Sequence, residues 1–277
     1  MSTTPLEPSG SDIPSVPAES GGPVFQTAPP PELWRLRDLG IFIGCSVLTL
    51  FVAPFLLLMV YAILRPLAHW RMTPSAATTN TVFLVSAQAV SYVMILVCVY
   101  VLVAVHYGLP FWAALKWRRP GVRQGLRLFL GGIAMAFGVL VVSRFLPDKN
   151  PFPFEQMLNS PAAAYAVAAL AILPAPFMEE LIFRGVLFTF FERHAGLRFA
   201  VVSTALLFAA LHVPEYWGAW NHVLLILAVG LIFSLARAIT DSLAPSVILH
   251  VAYNTSLMVM LFFATHHFRT IQAVVAR

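Results

Sequence analysis

An all-α, polytopic transmembrane helix bundle is the fold this sequence predicts, and three observations predict it. Hydrophobic residues make up 59% of the 277 positions. Charged residues make up only 10%, against about 25% in a soluble domain, too few to cover a globular surface in water. Apolar runs of 18 or more residues recur along the chain, and that length crosses a hydrocarbon core roughly 30 Å thick. The net charge of +5 suits basic loops that orient a membrane protein, and no nucleic-acid partner is expected. The partners implied are the lipid bilayer and a membrane-associated peptide or protein.

Residues 1–33 form the first region, a tail with Pro5, Pro8, Pro14, Pro17, Pro23 and the run Pro29-Pro30-Pro31. Such a segment buries too little apolar surface to offset its ordering entropy, so disorder is expected. It has no Lys or Arg before Arg35, and the basic start of a secretory signal is missing. The second region, 34–277, is the helical domain. Seven apolar segments are read there, at 39–64, 80–106, 125–146, 161–190, 198–213, 221–237 and 243–265, with six to eight as the range. In lipid, backbone groups must be satisfied within each segment, which requires helices at these lengths. Pro174 and Pro176 inside the fourth segment predict a kink or break there. Cys45 and Cys98 fall within apolar runs and read as small hydrophobes rather than as a disulfide or metal site.

Lys116, Arg118, Arg119, Arg123 and Arg127 crowd the loop between the second and third segments. Placing that cluster in the cytoplasm puts the N-terminus inside and, with seven spans, the C-terminus outside.

The chemistry sits in the last four segments. Glu179, Glu180 and Arg184 lie inside an apolar helix, where an ionisable group costs roughly 2.5–3.5 kcal/mol even on a lenient scale. Glu180 and Arg184 are four apart and can pair along one helical face, while Glu179 points about 100° away. His212 follows Phe208 on the next segment, and His250 and Asn254 share a face of the last one. Each group alone reads as structural, as His106 and His222 do. Two carboxylates, two histidines and an asparagine in apolar helices fit one shared catalytic cavity better.

In that cavity Glu179 and His212 would activate water, while His250 and Asn254 would stabilise an oxyanion. Glu180 and Arg184 would hold the helix. No cofactor is required. Alternatively, Glu179, His212 and His250 make a two-His, one-carboxylate set able to hold Zn2+, with Glu180 as the base. Straight seven-helix bookkeeping leaves Glu179 and His212 on the order of 10 Å apart in depth, a gap that tilt or the proline break would have to close.

Glu-Glu-x-x-x-Arg, Phe-x-x-x-His and His-x-x-x-Asn, in that order at 179–184, 208–212 and 250–254, resemble the signature of the CAAX prenyl endopeptidase and bacteriocin-processing (CPBP, Abi) family. Gly230-Leu231, Ser234, Thr240, Leu243 and Pro245-Ser246 are similar to the family's lead-in to its last motif. The resemblance covers about residues 160–265. It implies an intramembrane endopeptidase, of glutamate type or a metalloprotease, acting on a prenylated or membrane-anchored substrate. The membrane implied is the bacterial inner membrane, or the endoplasmic reticulum in a eukaryote. The competing readings are a non-catalytic membrane scaffold or immunity-type protein built on a Glu–Arg lock, and a proton-coupled transporter.

Overall fold

The computed structural model describes residues 33–146 and 153–271. Most of the proline-rich tail lies outside the described residues. Among those described, every regular element is a helix. In order they are α1 (Leu36–Leu67), the single turn α2 (Pro74–Ala77), α3 (Thr81–Tyr100) with a π-helical extension over Val101–His106, the short α4 (Phe111–Ala114), α5 (Val122–Ser143) and the short α6 (Pro153–Met157). Then come α7 (Pro161–Ile172), α8 (Pro174–Glu180), a π-helical stretch over Leu181–Leu187, α9 (Phe188–Ala195), α10 (Leu197–His212), α11 (Trp220–Thr240) and α12 (Leu243–Ala264).

Six helical stretches are long and apolar enough to cross a bilayer: Leu36–Leu67, Thr81–His106, Val122–Ser143, Pro161–Ala195, Trp220–Thr240 and Leu243–Ala264. The protein is an integral membrane protein with an all-α, polytopic architecture. The seventh expected span, α10, has 16 residues and is roughly 24 Å long, short of the hydrocarbon core. Large apolar side chains such as Phe51, Ile63, Val105, Phe145 and Phe263 are exposed, as a lipid-facing surface requires.

Local sequence sets the helix starts. Asn80 accepts from the Val82 and Phe83 amides at the head of α3, and Ser160 accepts from Ala163 at the head of α7. The expected break falls at Leu173, between α7 and α8, at φ −132° and ψ −52°. Pro174 and Pro176 have no N–H to continue the ladder. Beside this break the Asn254 amide from α12 donates to the Ala171 carbonyl at 2.9 Å.

The hairpin that follows the break removes the expected depth mismatch. The chain from Pro174 runs as one continuous helical path to Ala195, turns at Gly196 (φ +86°) and returns as α10. Glu179 lies seventeen residues before Gly196 and His212 sixteen after it. The two arms of this hairpin therefore carry them to nearly the same depth.

Small residues let α12 approach α5. A Cβ on Gly132 would sit 2.5 Å from the Leu249 carbonyl oxygen and 2.6 Å from the Ala252 Cβ. Both obstacles belong to the α12 backbone or its stub and cannot swing aside. Gly132→Ala is expected to cost about 1–3 kcal/mol by overpacking, seen as a lower melting temperature in detergent. Gly131→Ala meets only the mobile Leu249 Cδ2 at 3.3 Å and serves as the control; equal melting for the two would refute this packing argument.

At the basic end of the bundle, Asp241 turns α11 into α12 with a left-handed backbone (φ 46°). Its carboxylate accepts from Lys116 Nζ at 2.7 Å, Arg118 Nη2 at 3.0 Å and Arg237 Nη1 at 3.1 Å. Burial pushes the Asp241 carboxyl up, but the hydrogen bonds from Lys116 and Arg237 outweigh it and hold the group below its usual value. A depressed folded-state value stabilises the fold above the unfolded value, near pH 4, and that contribution is lost as pH falls through the folded value. Asp241→Asn should therefore flatten the melting-temperature profile between about pH 5 and pH 3. An unchanged acid slope would show the network to be thermodynamically idle.

Candidate active site

The site is built outward from a buried ion pair. Glu180 and Arg184 are both fully buried, and Arg184 Nη1 donates to Glu180 Oε1 at 2.9 Å. The pair straddles the passage from α8 into the π-helical stretch Leu181–Leu187, a backbone form that occurs mostly at functional sites. Arg184 spends its other donors on α11: Nη2 on the Gly230 carbonyl at 2.7 Å, and Nε and Nη2 on Ser234 Oγ at 3.3 Å. Ser234 in turn contacts Thr204 Oγ1 on α10 at 3.0 Å. The guanidinium also lies 4.8 Å from the Phe208 ring centre and 5.5 Å from that of Phe233. One arginine thus fastens the α8 path to α10 and α11.

His250 connects the two carboxylates. Its Nδ1 is 2.9 Å from Glu180 Oε1, and its Nε2 is 3.7 Å from Glu179 Oε2. A carboxylate only accepts, so Nδ1 carries the hydrogen in this pairing. The ring is stacked on Phe233 with centroids 4.5 Å apart, which fixes its plane. Glu180 Oε2 is buried without a hydrogen-bond partner among the described residues.

Glu179 is 18% exposed, unlike its buried neighbour. Its Oε1 accepts from the Tyr92 hydroxyl of α3 at 3.4 Å. His212 Nδ1 lies 2.8 Å from the Phe208 carbonyl. A carbonyl cannot donate, so Nδ1 is the protonated nitrogen and Nε2 keeps a lone pair. The Phe208 ring touches both imidazoles, 4.6 Å from His212 and 5.8 Å from His250. Asn254, one turn beyond His250, commits one amide hydrogen to Ala171.

Residues 161–256 match the model of the family described as type II CAAX prenyl endopeptidase Rce1-like. This segment resembles the Rce1-like domains of the CAAX protease family. No curated protein and no solved structure matches the chain. The matched segment contains all six residues singled out by sequence: Glu179, Glu180, Arg184, His212, His250 and Asn254. Hydrogen bonds or close contacts join Glu179, Glu180, Arg184 and His250 directly, and Phe208 links His212 to them.

For the zinc alternative the donor geometry is unfavourable. Among the described residues, no group of three or more His, Cys, Asp or Glu is arranged to hold a metal ion. Glu179, His212 and His250 do not gather as a ligand set, although both imidazoles leave Nε2 free of a hydrogen by engaging Nδ1. His106 and His222 stand apart as read from sequence: His106 meets Arg37 Nη2 at 3.2 Å and His222 stacks on Tyr216. Cys45 and Cys98 are free thiols.

Three residues of the site escape sequence reading. Tyr92 lies in a segment whose only pattern is hydrophobicity. Arg237, fully buried, donates from Nε to the Arg184 carbonyl at 3.2 Å and clamps the π-helical stretch, yet near a helix end it reads as a loop anchor. Glu215, three residues past His212, reads as an ordinary loop acid. It keeps some exposure, but loss of hydration raises its carboxyl above the usual value, with His212 opposing and Glu179 adding to the rise.

Proposed function

We propose that the protein is an intramembrane endopeptidase that hydrolyses a peptide bond of a membrane-anchored or prenylated substrate. The observation that carries this reading is the His250 imidazole set between Glu180 and Glu179, with Nε2 aimed at the more open carboxylate. Glu180, neutralised by Arg184, orients the ring and balances the charge it gains.

Glu179 accepts a proton as water attacks the scissile carbonyl, with the His212 Nε2 lone pair aligning that water. The proton on Glu179 passes to His250 Nε2, and the resulting imidazolium donates to the tetrahedral oxyanion beside the remaining Asn254 amide hydrogen. The proton then leaves with the departing amine, which regenerates both groups. None of these steps requires a group that the chain itself lacks.

Wild-type and Glu179→Gln proteins, expressed equally in membranes, should differ in a defined set of new peptide termini across the proteome. The purified wild type should cut peptides spanning those termini in detergent, and prolonged chelation should leave that activity intact. Identical termini profiles would sink the protease reading in favour of a non-catalytic scaffold. Activity lost on chelation and restored by zinc would instead reassign Glu179, His212 and His250 as ligands.

A further inference from the structure

Glu179 is reached from outside the matched segment. Tyr92 lies midway along α3, well before the matched segment begins at residue 161. Its hydroxyl donates to Glu179 Oε1 at 3.4 Å, while the other carboxylate oxygen, Oε2, faces His250. The polar chain therefore runs from Tyr92 through Glu179, His250 and Glu180 to Arg184.

A carboxylate whose two oxygens are equivalent can turn about its last bond, which is broad and nearly two-fold. A base must offer one defined oxygen to the proton it removes. The phenol breaks that equivalence. At 3.4 Å its bond is longer than the 2.5–2.7 Å typical of a charge-assisted O–H···O contact, as catalytic hydrogen bonds in free enzymes often are. α3 packs directly on both α7 and α8, so it presents Tyr92 to Glu179 across a helix seam rather than from a loop.

We propose that Tyr92 is a positioning residue of the site, holding Glu179 Oε1 so that Oε2 faces His250 and the attacking water. This inference rests on the proposed endopeptidase reading for its catalytic consequence, but its geometry is independent of that reading.

The test is Tyr92→Phe, which removes one oxygen and keeps the ring. The carboxylate stretch of Glu179 is isolated by isotope-edited infrared difference between wild type and Glu179→Gln, and the same band is recorded in the variant. A shifted band, together with kcat lowered about 10- to 100-fold, as loss of a hydrogen bond to a charged group implies, at unchanged KM and membrane abundance, is the expected result. Tyr92→Leu also lacks the hydroxyl and should shift the same band. It also decides the matter if Tyr92→Phe fails to accumulate. An unmoved band in whichever variant folds overturns the inference, as does a rise in KM with kcat intact. Should the wild type cut no peptide, the endopeptidase reading falls, and the infrared band alone still decides whether Tyr92 holds Glu179.

Discussion

Arg184→Leu is expected to destabilise the protein by about 3–5 kcal/mol, the usual result of breaking a buried ion pair from one side. The substitution strands Glu180, fully buried and already sharing Oε1 with His250. It also leaves the Gly230 carbonyl and Ser234 without their guanidinium donor. Against a net stability of about 5–15 kcal/mol, membrane accumulation should fall sharply. Arg184→Lys restores the charge but not the planar fork that reaches Glu180, Gly230 and Ser234 together, so an intermediate loss is expected. The double variant Glu180→Leu/Arg184→Leu removes both charges and should recover much of the stability while remaining inactive. Pulse-chase abundance and melting temperature check all three, and a normal Arg184→Leu protein would count against the lock.

Glu179→Gln is expected to separate activity from stability. Removing a general base costs about 10²–10⁴ in turnover, whereas the fold should be preserved. The reason is positional: Glu179 keeps some solvent access, and the replacing carboxamide can still meet the Tyr92 hydroxyl and His250 Nε2. Glu180→Gln should behave differently, because it halves the buried ion pair and loses the anion that orients His250. Cleavage of a reporter peptide, read beside melting temperature, distinguishes these neighbours. If the two variants showed the same ratio of activity loss to stability loss, the division of labour between them would be wrong.

The Glu180–Arg184 pair was legible from spacing, since i, i+4 partners on a helix meet wherever the helix lies. The direction of Glu179 away from that pair followed from the same periodicity. Hydrophobic run length likewise announced the spans, because the bilayer imposes one length on every helix that crosses it. α10 is apolar like the spans but shorter than the six long helices, and only the hairpin at Gly196 shows how much of the chain is helical on each side.

By itself, then, the sequence determined that this is an all-α membrane protein and singled out Glu179, Glu180, Arg184, His212, His250 and Asn254 as candidates for its chemistry, because period, length and the cost of charge in lipid are local properties. The tertiary structure decided which atoms meet. It decided that the hairpin at Gly196 sets Glu179 level with His212, that Asn254 donates to the Ala171 carbonyl beside the break at Leu173, and that Arg237 clamps the backbone of Arg184. It also brought Tyr92 to Glu179 from 87 positions away. Such contacts depend on how helices rotate and cross, set by summed packing at small residues such as Gly132 and Gly230. No single residue's spacing records that sum.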